Sequence, residues 1–198
     1  MLKRILFITV LTITSMLCGS SGLVMAADNS SNDIATEEAI GLYEKMLNAD
    51  NAEKYYKQLS LEEQEAVNGI ATNLKYETVT TTDDTKDETV GVTVTCNARD
   101  ILNNIVWSFN QRIQWSYNGT YITGIQDHSS WGTTMWPWGY TGLVSEPTES
   151  GGVGQQTFTR FSQGRFEYPS WIPIYVDEPY ISQTVDENGN SEQETGGY

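Results

Sequence analysis

The chain has 198 residues, enough for one domain with a small appendage, and its 11 Tyr, 6 Trp and 5 Phe exclude a disordered chain, which lacks large apolar side chains. Its 26 acidic residues outnumber 11 basic ones, a formal net charge of −15, which argues against nucleic acid and anionic lipid because both need clustered Lys and Arg. One His and two Cys exclude a His-rich metal site and a disulfide framework.

Lys3 and Arg4 open a basic start, residues 5–17 are apolar, and small or polar residues follow up to Val24-Met25-Ala26. That is the layout of a secretory signal peptide over residues 1–26, with cleavage near Ala26 or one residue later. The apolar run is shorter than the roughly 20 residues a bilayer span needs, so no membrane span is expected after cleavage. Losing Lys3 and Arg4 deepens the formal charge from −15 to −17. Losing Cys18 leaves Cys96 alone in an alternating apolar run, where it reads as a buried, inert thiol.

Residues 27–76 read as a helical N-terminal segment. Ile40, Tyr43, Met46 and Leu47 recur at helical spacing. Asp50 precedes a second short run over 51–59, and Ser60 with Glu63 forms a capping box. Leu61, Ala66, Val67, Ile70 and Leu74 then share one face. Residues 77–88, ETVTTTDDTKDE, read as a polar linker or exposed hairpin.

From Thr89 the period becomes two, with Val90, Val92, Val94 and Cys96 alternating with smaller or polar residues. Trp107, Phe109, Ile113, Trp115 and Tyr117 continue that alternation. Asn118-Gly119 predicts a two-residue type I′ hairpin, which would pair Trp115 with Ile122 and Ile113 with Gly124. Further strands are expected over 139–144, 153–161, 165–168, 171–176 and 180–185. The fold class is therefore mainly β: an antiparallel β-sandwich over 89–186, preceded by a small α-helical segment. The tail, 187–198, reads as polar and flexible.

Residues 131–140, WGTTMWPWGY, place Trp131, Trp136, Trp138 and Tyr140 close together among glycines. On a loop such rings stack on sugars or dock on a protein, so these four are the candidate ligand-binding residues. The competing reading makes Trp131, Trp136 and Trp138 a cap on the open end of the sandwich. Asp127-His128-Ser129 reads as a hairpin-end loop rather than a triad, because neighbours on an extended segment do not converge. Glu146, Glu149, Glu167, Asp177 and Glu178 include enough carboxylates for a glycosidase pair, but among 26 acids such a pair is expected by chance, and they read as solvated surface. Asp186, Asn188, Asn190 and Glu192 place oxygens at alternate positions as a calcium loop does, but without its terminal glutamate spacing. Gly151-Gly152-Val153-Gly154 lacks the lysine of a phosphate loop. Asn29 and Asn118 match glycosylation sequons. No catalytic residue, metal ligand or cofactor site is assigned.

Ile105, Trp107 and Phe109 with Ile113, Trp115, Tyr117 and Gly119, then Gly151 to Gly154, Phe161 to Phe166 and Ser182 to Val185, carry a family resemblance. The stretch of about residues 100–190 resembles an uncharacterised group of small secreted β-rich proteins of Gram-positive bacteria. The resemblance implies secretion and a β-fold, and no catalytic residue. The expected function is that of a secreted, extracellular, non-catalytic protein binding a cell-wall or extracellular glycan or a surface protein. The alternatives are a secreted hydrolase using a carboxylate pair, and an interaction protein with no small ligand.

Overall fold

Three short helices precede ten strands among the residues described by the computed structural model, 36–84, 88–171 and 174–198. The expected signal peptide, Cys18 and the Asn29 sequon lie outside them. Helix α1 (Thr36–Leu47) buries Ala39, Tyr43 and Met46, and the Tyr43 hydroxyl donates to Asp100 Oδ2 at 3.2 Å. Helix α2 (Ala52–Tyr56) is capped by Asn51 rather than Asp50, its side chain accepting from the Lys54 N–H at 2.8 Å. Helix α3 (Leu61–Ala71) opens on the expected Ser60–Glu63 capping box. Val67, Ile70 and Ala71 face inward, but Leu61, at the first helical position, is 77% exposed.

Strands β1 (Lys75–Asp84), β2 (Thr89–Arg99), β3 (Ile105–Tyr117) and β4 (Ile122–Thr134) form one sheet in chain order. The second sheet contains β5 (Gly139–Leu143), β6 (Thr148–Gly151), β7 (Thr157–Tyr168), β8 (Tyr175–Asp177), β9 (Tyr180–Asp186) and β10 (Ser191–Gly196). Long β7 is its axis: its first half pairs with β6 and β9, its second with β5 and β8. All pairings are antiparallel, and the chain is a mainly β sandwich with a small helical N-terminal segment.

Two segments expected to be irregular are edge strands. Residues 75–84, which cover the last two residues of the expected helical segment and most of the supposed linker, pair with β2 from Lys75↔Arg99 to Asp84↔Val90. Their Val and Thr side chains suit a pleated edge, and the polarity reflects a face turned to water. The supposed flexible tail supplies β10, paired with β9 from Ser191↔Val185 to Gly196↔Tyr180. Thr78 and Thr195 hydroxyls meet at 3.0 Å, and Gln193 Nε2 donates to Thr80 Oγ1 at 3.1 Å, linking the two edges. Between β9 and β10, Asp186 Oδ1 accepts from the Asn188 and Asn190 N–H groups at 2.9 and 2.8 Å. The alternating oxygen-bearing residues there are turn formers, and Gly189 takes the positive φ of 85°.

The β3–β4 hairpin also differs from expectation. Its pairs are Tyr117↔Ile122, Trp115↔Ile125 and Ile113↔His128, with two register shifts. Residues 118–121 form the loop because Asn118 Oδ1 caps the Thr120 and Tyr121 N–H groups at 3.0 and 3.1 Å. Only Gly119, at φ 79°, adopts the left-handed backbone that a type I′ pair requires twice.

The interior lies between β3 and β7–β9. Trp107, Phe109, Ile113 and Trp115 from β3 meet Phe158, Phe166 and Tyr168 from β7 and Ile181 and Val185 from β9, all buried. Trp107 stacks on Phe166 at 4.6 Å. A Cβ on Gly164 would sit 2.7 Å from the Phe109 ring, so this glycine makes room for an aromatic and does not break β7. Cys96 is buried, which raises its thiol pKa.

Candidate functional site

The four expected ligand-binding rings do not form one platform. Trp131 is in β4, opposite Asn110, and 38% exposed. Trp136 is 44% exposed on the β4–β5 connection. Trp138 is only 2% exposed, packed on Tyr168 at 5.4 Å and edge-on to Tyr175 at 5.9 Å. Tyr140 in β5 is half-buried, with its ring 5.0 Å from Phe166 and so close to Gly132 that a Cβ there would lie at 2.4 Å. The connection is pinned by the Trp138 N–H to Met135 carbonyl bond at 3.0 Å and by the Ser170 N–H donating to the Pro137 carbonyl at 2.9 Å. Trp138 thus belongs to the core, as the capping alternative expected, while Trp136 faces outward.

Trp136 lines a cleft of about 410 Å³ together with Asp50, Asn51, Glu53, Ser170 and Trp171. Three distant segments build it: the α1–α2 turn with the start of α2, the β4–β5 connection, and the residues following β7. The Trp136 and Trp171 rings are 5.5 Å apart and tilted by 38°, which makes a continuous aromatic wall. Tyr56 of α2 supports Trp171 edge-on at 5.9 Å. Ile70 and Tyr56 anchor this helical side of the cleft in the core. An adjoining hollow of about 390 Å³ shares Asn51 and Glu53 and adds Lys54, Lys57 and Gln58.

The polar rim has unequal free capacity. Asn51 Oδ1 is committed to the α2 cap. Glu53 Oε1 pairs with Lys57 Nζ at 2.5 Å. Asp50 is exposed and makes no ion pair among the described residues. Ser170 adds a hydroxyl. Indole faces offer a surface to apolar C–H groups, while carboxylate oxygens accept hydrogen bonds from hydroxyl or ammonium donors. Trp171 went unrecognised in the sequence because it reads there as the start of a strand, and Asp50 to Glu53 read as the start of a short helix.

Most of the carboxylates considered for a glycosidase pair are engaged elsewhere. Glu149 pairs with Arg160, whose side chain is 9% exposed, and lies 2.8 Å from His128 Nδ1. Glu167 and Glu178 both bind Arg165, each at 2.7 Å. Asp177 is 3% exposed and accepts from Trp107 Nε1 at 3.1 Å and the Tyr76 hydroxyl at 3.3 Å. Burial raises the Asp177 carboxyl above its ordinary pKa, and hydrogen bonds from Trp107, Tyr175 and Tyr76 counter this only in part. Glu146 is exposed on the β5–β6 connection. Asp127, His128 and Ser129 are not on a loop; they lie within β4. There Asp127 meets Arg112 at 3.3 Å while His128 meets Glu149, so the first two diverge.

No protein family, curated protein or solved structure matches this chain.

Proposed function

We propose that this protein is secreted and binds a cell-wall or extracellular glycan, without catalysis, in the cleft walled by Trp136 and Trp171. The observation that carries the reading is a two-indole wall, with Trp136 exposed and Trp171 half-buried, bordered by Asp50, Asn51 and Ser170. Sugar rings present an apolar C–H face edged by hydroxyls, and this wall offers the complementary pairing of flat aromatic surface with polar acceptors. The basic, apolar and small-residue order of residues 1–26 supports export, and N-terminal sequencing of secreted protein should begin at Ala27 or Asp28.

Retention on purified cell-wall polysaccharide tests the site. Trp136→Ala should weaken retention by about tenfold, equivalent to about 1.4 kcal/mol, while the protein remains folded. Trp131→Ala serves as the control, because its ring is exposed outside the cleft. A folded Trp136→Ala variant retained as well as its parent would remove the cleft from any binding role.

A further inference from the structure

We infer that the ligand of the Trp136–Trp171 cleft is a glycan bearing free, protonated amino groups, and that Asp50 selects it over a neutral or N-acylated one. This rests on the glycan-binding reading and deepens it. Among the described residues two acids, Asp50 and Glu53, line the 410 Å³ cleft, and no Lys or Arg does. The two acids are not equivalent. Glu53 is engaged by Lys57, and Lys54 and Lys57 line the adjoining hollow beyond the wall that Asn51 and Glu53 form. Among the described residues Asp50 is left without an ion-pair partner beside the rings.

An ammonium group gains twice in this setting. It is attracted to the negative face of an indole, and it forms a charge-assisted hydrogen bond with a carboxylate. A neutral hydroxyl gains only an ordinary hydrogen bond, and an N-acyl group offers no charge. A chain with net charge −15 also draws cations toward its surface and repels polyanions. The field alone has no preference among sites. The indole wall is what makes Asp50 different from the other exposed acids.

Titration calorimetry with glucosamine oligomers and N-acetylglucosamine oligomers of equal length separates the possibilities, using the parent, Asp50→Asn and Trp136→Ala. The glucosamine oligomer should bind about tenfold more tightly than its N-acetylated counterpart. Asp50→Asn, which keeps an oxygen acceptor but no charge, should erase that preference by weakening the glucosamine oligomer alone. Trp136→Ala should weaken both. Equal affinities, or a preference for the N-acetylated oligomer, with both still lost in Trp136→Ala, would overturn the charge inference and leave the glycan reading standing. Glucosamine binding that survives Trp136→Ala and is matched by oligolysine would be adsorption to the acidic surface, which also overturns the inference. If neither oligomer nor cell-wall polysaccharide binds, the glycan reading falls and the inference with it.

Discussion

Trp107 with Phe166 and Trp136 with Trp171 are both neighbouring aromatic pairs, at 4.6 and 5.5 Å, yet they are held in place by different means. Trp107 and Phe166 stand on β3 and β7, where strand alternation sends them inward and every neighbour on the same face goes with them. Trp136 and Trp171 stand on connections, and no period governs where they point. They meet because β5 and the Ser170–Pro137 backbone bond bring two segments together over α2. In these two pairs the strand-borne rings are buried, whereas Trp136 stays exposed. Trp138, on the same connection as Trp136, is buried, so the position of a loop-borne ring is set by what it docks against.

Truncating the fixed rings should have the largest effect. Trp115 is fully buried and its Nε1 donates to the Asp186 carbonyl at 2.9 Å, so Trp115→Ala should cost about 3–5 kcal/mol. Trp138→Ala should fall in the same range, since its ring is packed between Tyr168 and Tyr175. Urea midpoints at unchanged slope measure both. A Trp138 variant as stable as the parent would place this ring with the cleft instead of the core.

The same contrast explains what the sequence made legible. Strands β2 and β3 announce themselves because Val92, Val94 and Cys96, then Trp107, Phe109, Ile113 and Trp115, each bury one face. Ser60 and Glu63 mark the start of α3 through local chemistry alone. Strands β1 and β10 lack that signal, because edge strands built from Thr, Glu and Gln bury too little for an apolar period. Asn118 misled the hairpin reading because its side chain caps a longer loop as readily as its backbone suits a tight turn. The cleft is the least legible feature. Asp50, Trp136 and Trp171 are far apart in the chain, and only tertiary docking brings them together.

A middle case sharpens the comparison. Gln111 lies on the inward face of β3 between Phe109 and Ile113 and is fully buried. Its Oε1 accepts from the hydroxyls of Ser162 at 2.5 Å and Ser130 at 3.4 Å, and its Nε2 donates to the Arg160 carbonyl at 3.1 Å. Gln111→Leu keeps similar bulk but strips partners from a buried serine and a carbonyl, so it should cost about 1–3 kcal/mol. An unchanged urea midpoint would mean that the interior treats this position as it does its aromatic neighbours.

Asp177 tests the polar edge of the Trp107 stack through pH. Its folded carboxyl pKa lies above the unfolded value because burial penalises the charged form. The stability it contributes is therefore fully present below the unfolded pKa of about 3.9 and is lost as pH rises through the folded value. Asp177→Asn keeps an oxygen for the Trp107 indole and removes the titration. The variant should gain stability relative to the parent across that window, and the difference should level off above it. Parallel urea-midpoint curves for the two proteins would contradict the raised pKa.

The smallest effect on stability should come from Trp136→Ala, and its size decides how the two pairs of rings differ. Large-to-small replacement is costly when atoms leave a packed site and the neighbours cannot close the void. Trp136 is 44% exposed and borders an open cleft, so water fills the space its ring vacates. The chief loss is its contact with Trp171, which keeps Tyr56 on its other side. The expected cost is below about 1 kcal/mol, against 3–5 kcal/mol for Trp115, on the same urea-midpoint scale. A cost near that of Trp115 would make Trp136 a structural ring that happens to be visible. A small cost joined to lost glycan retention would separate the two roles, because no core tryptophan can give up its function while keeping its stability.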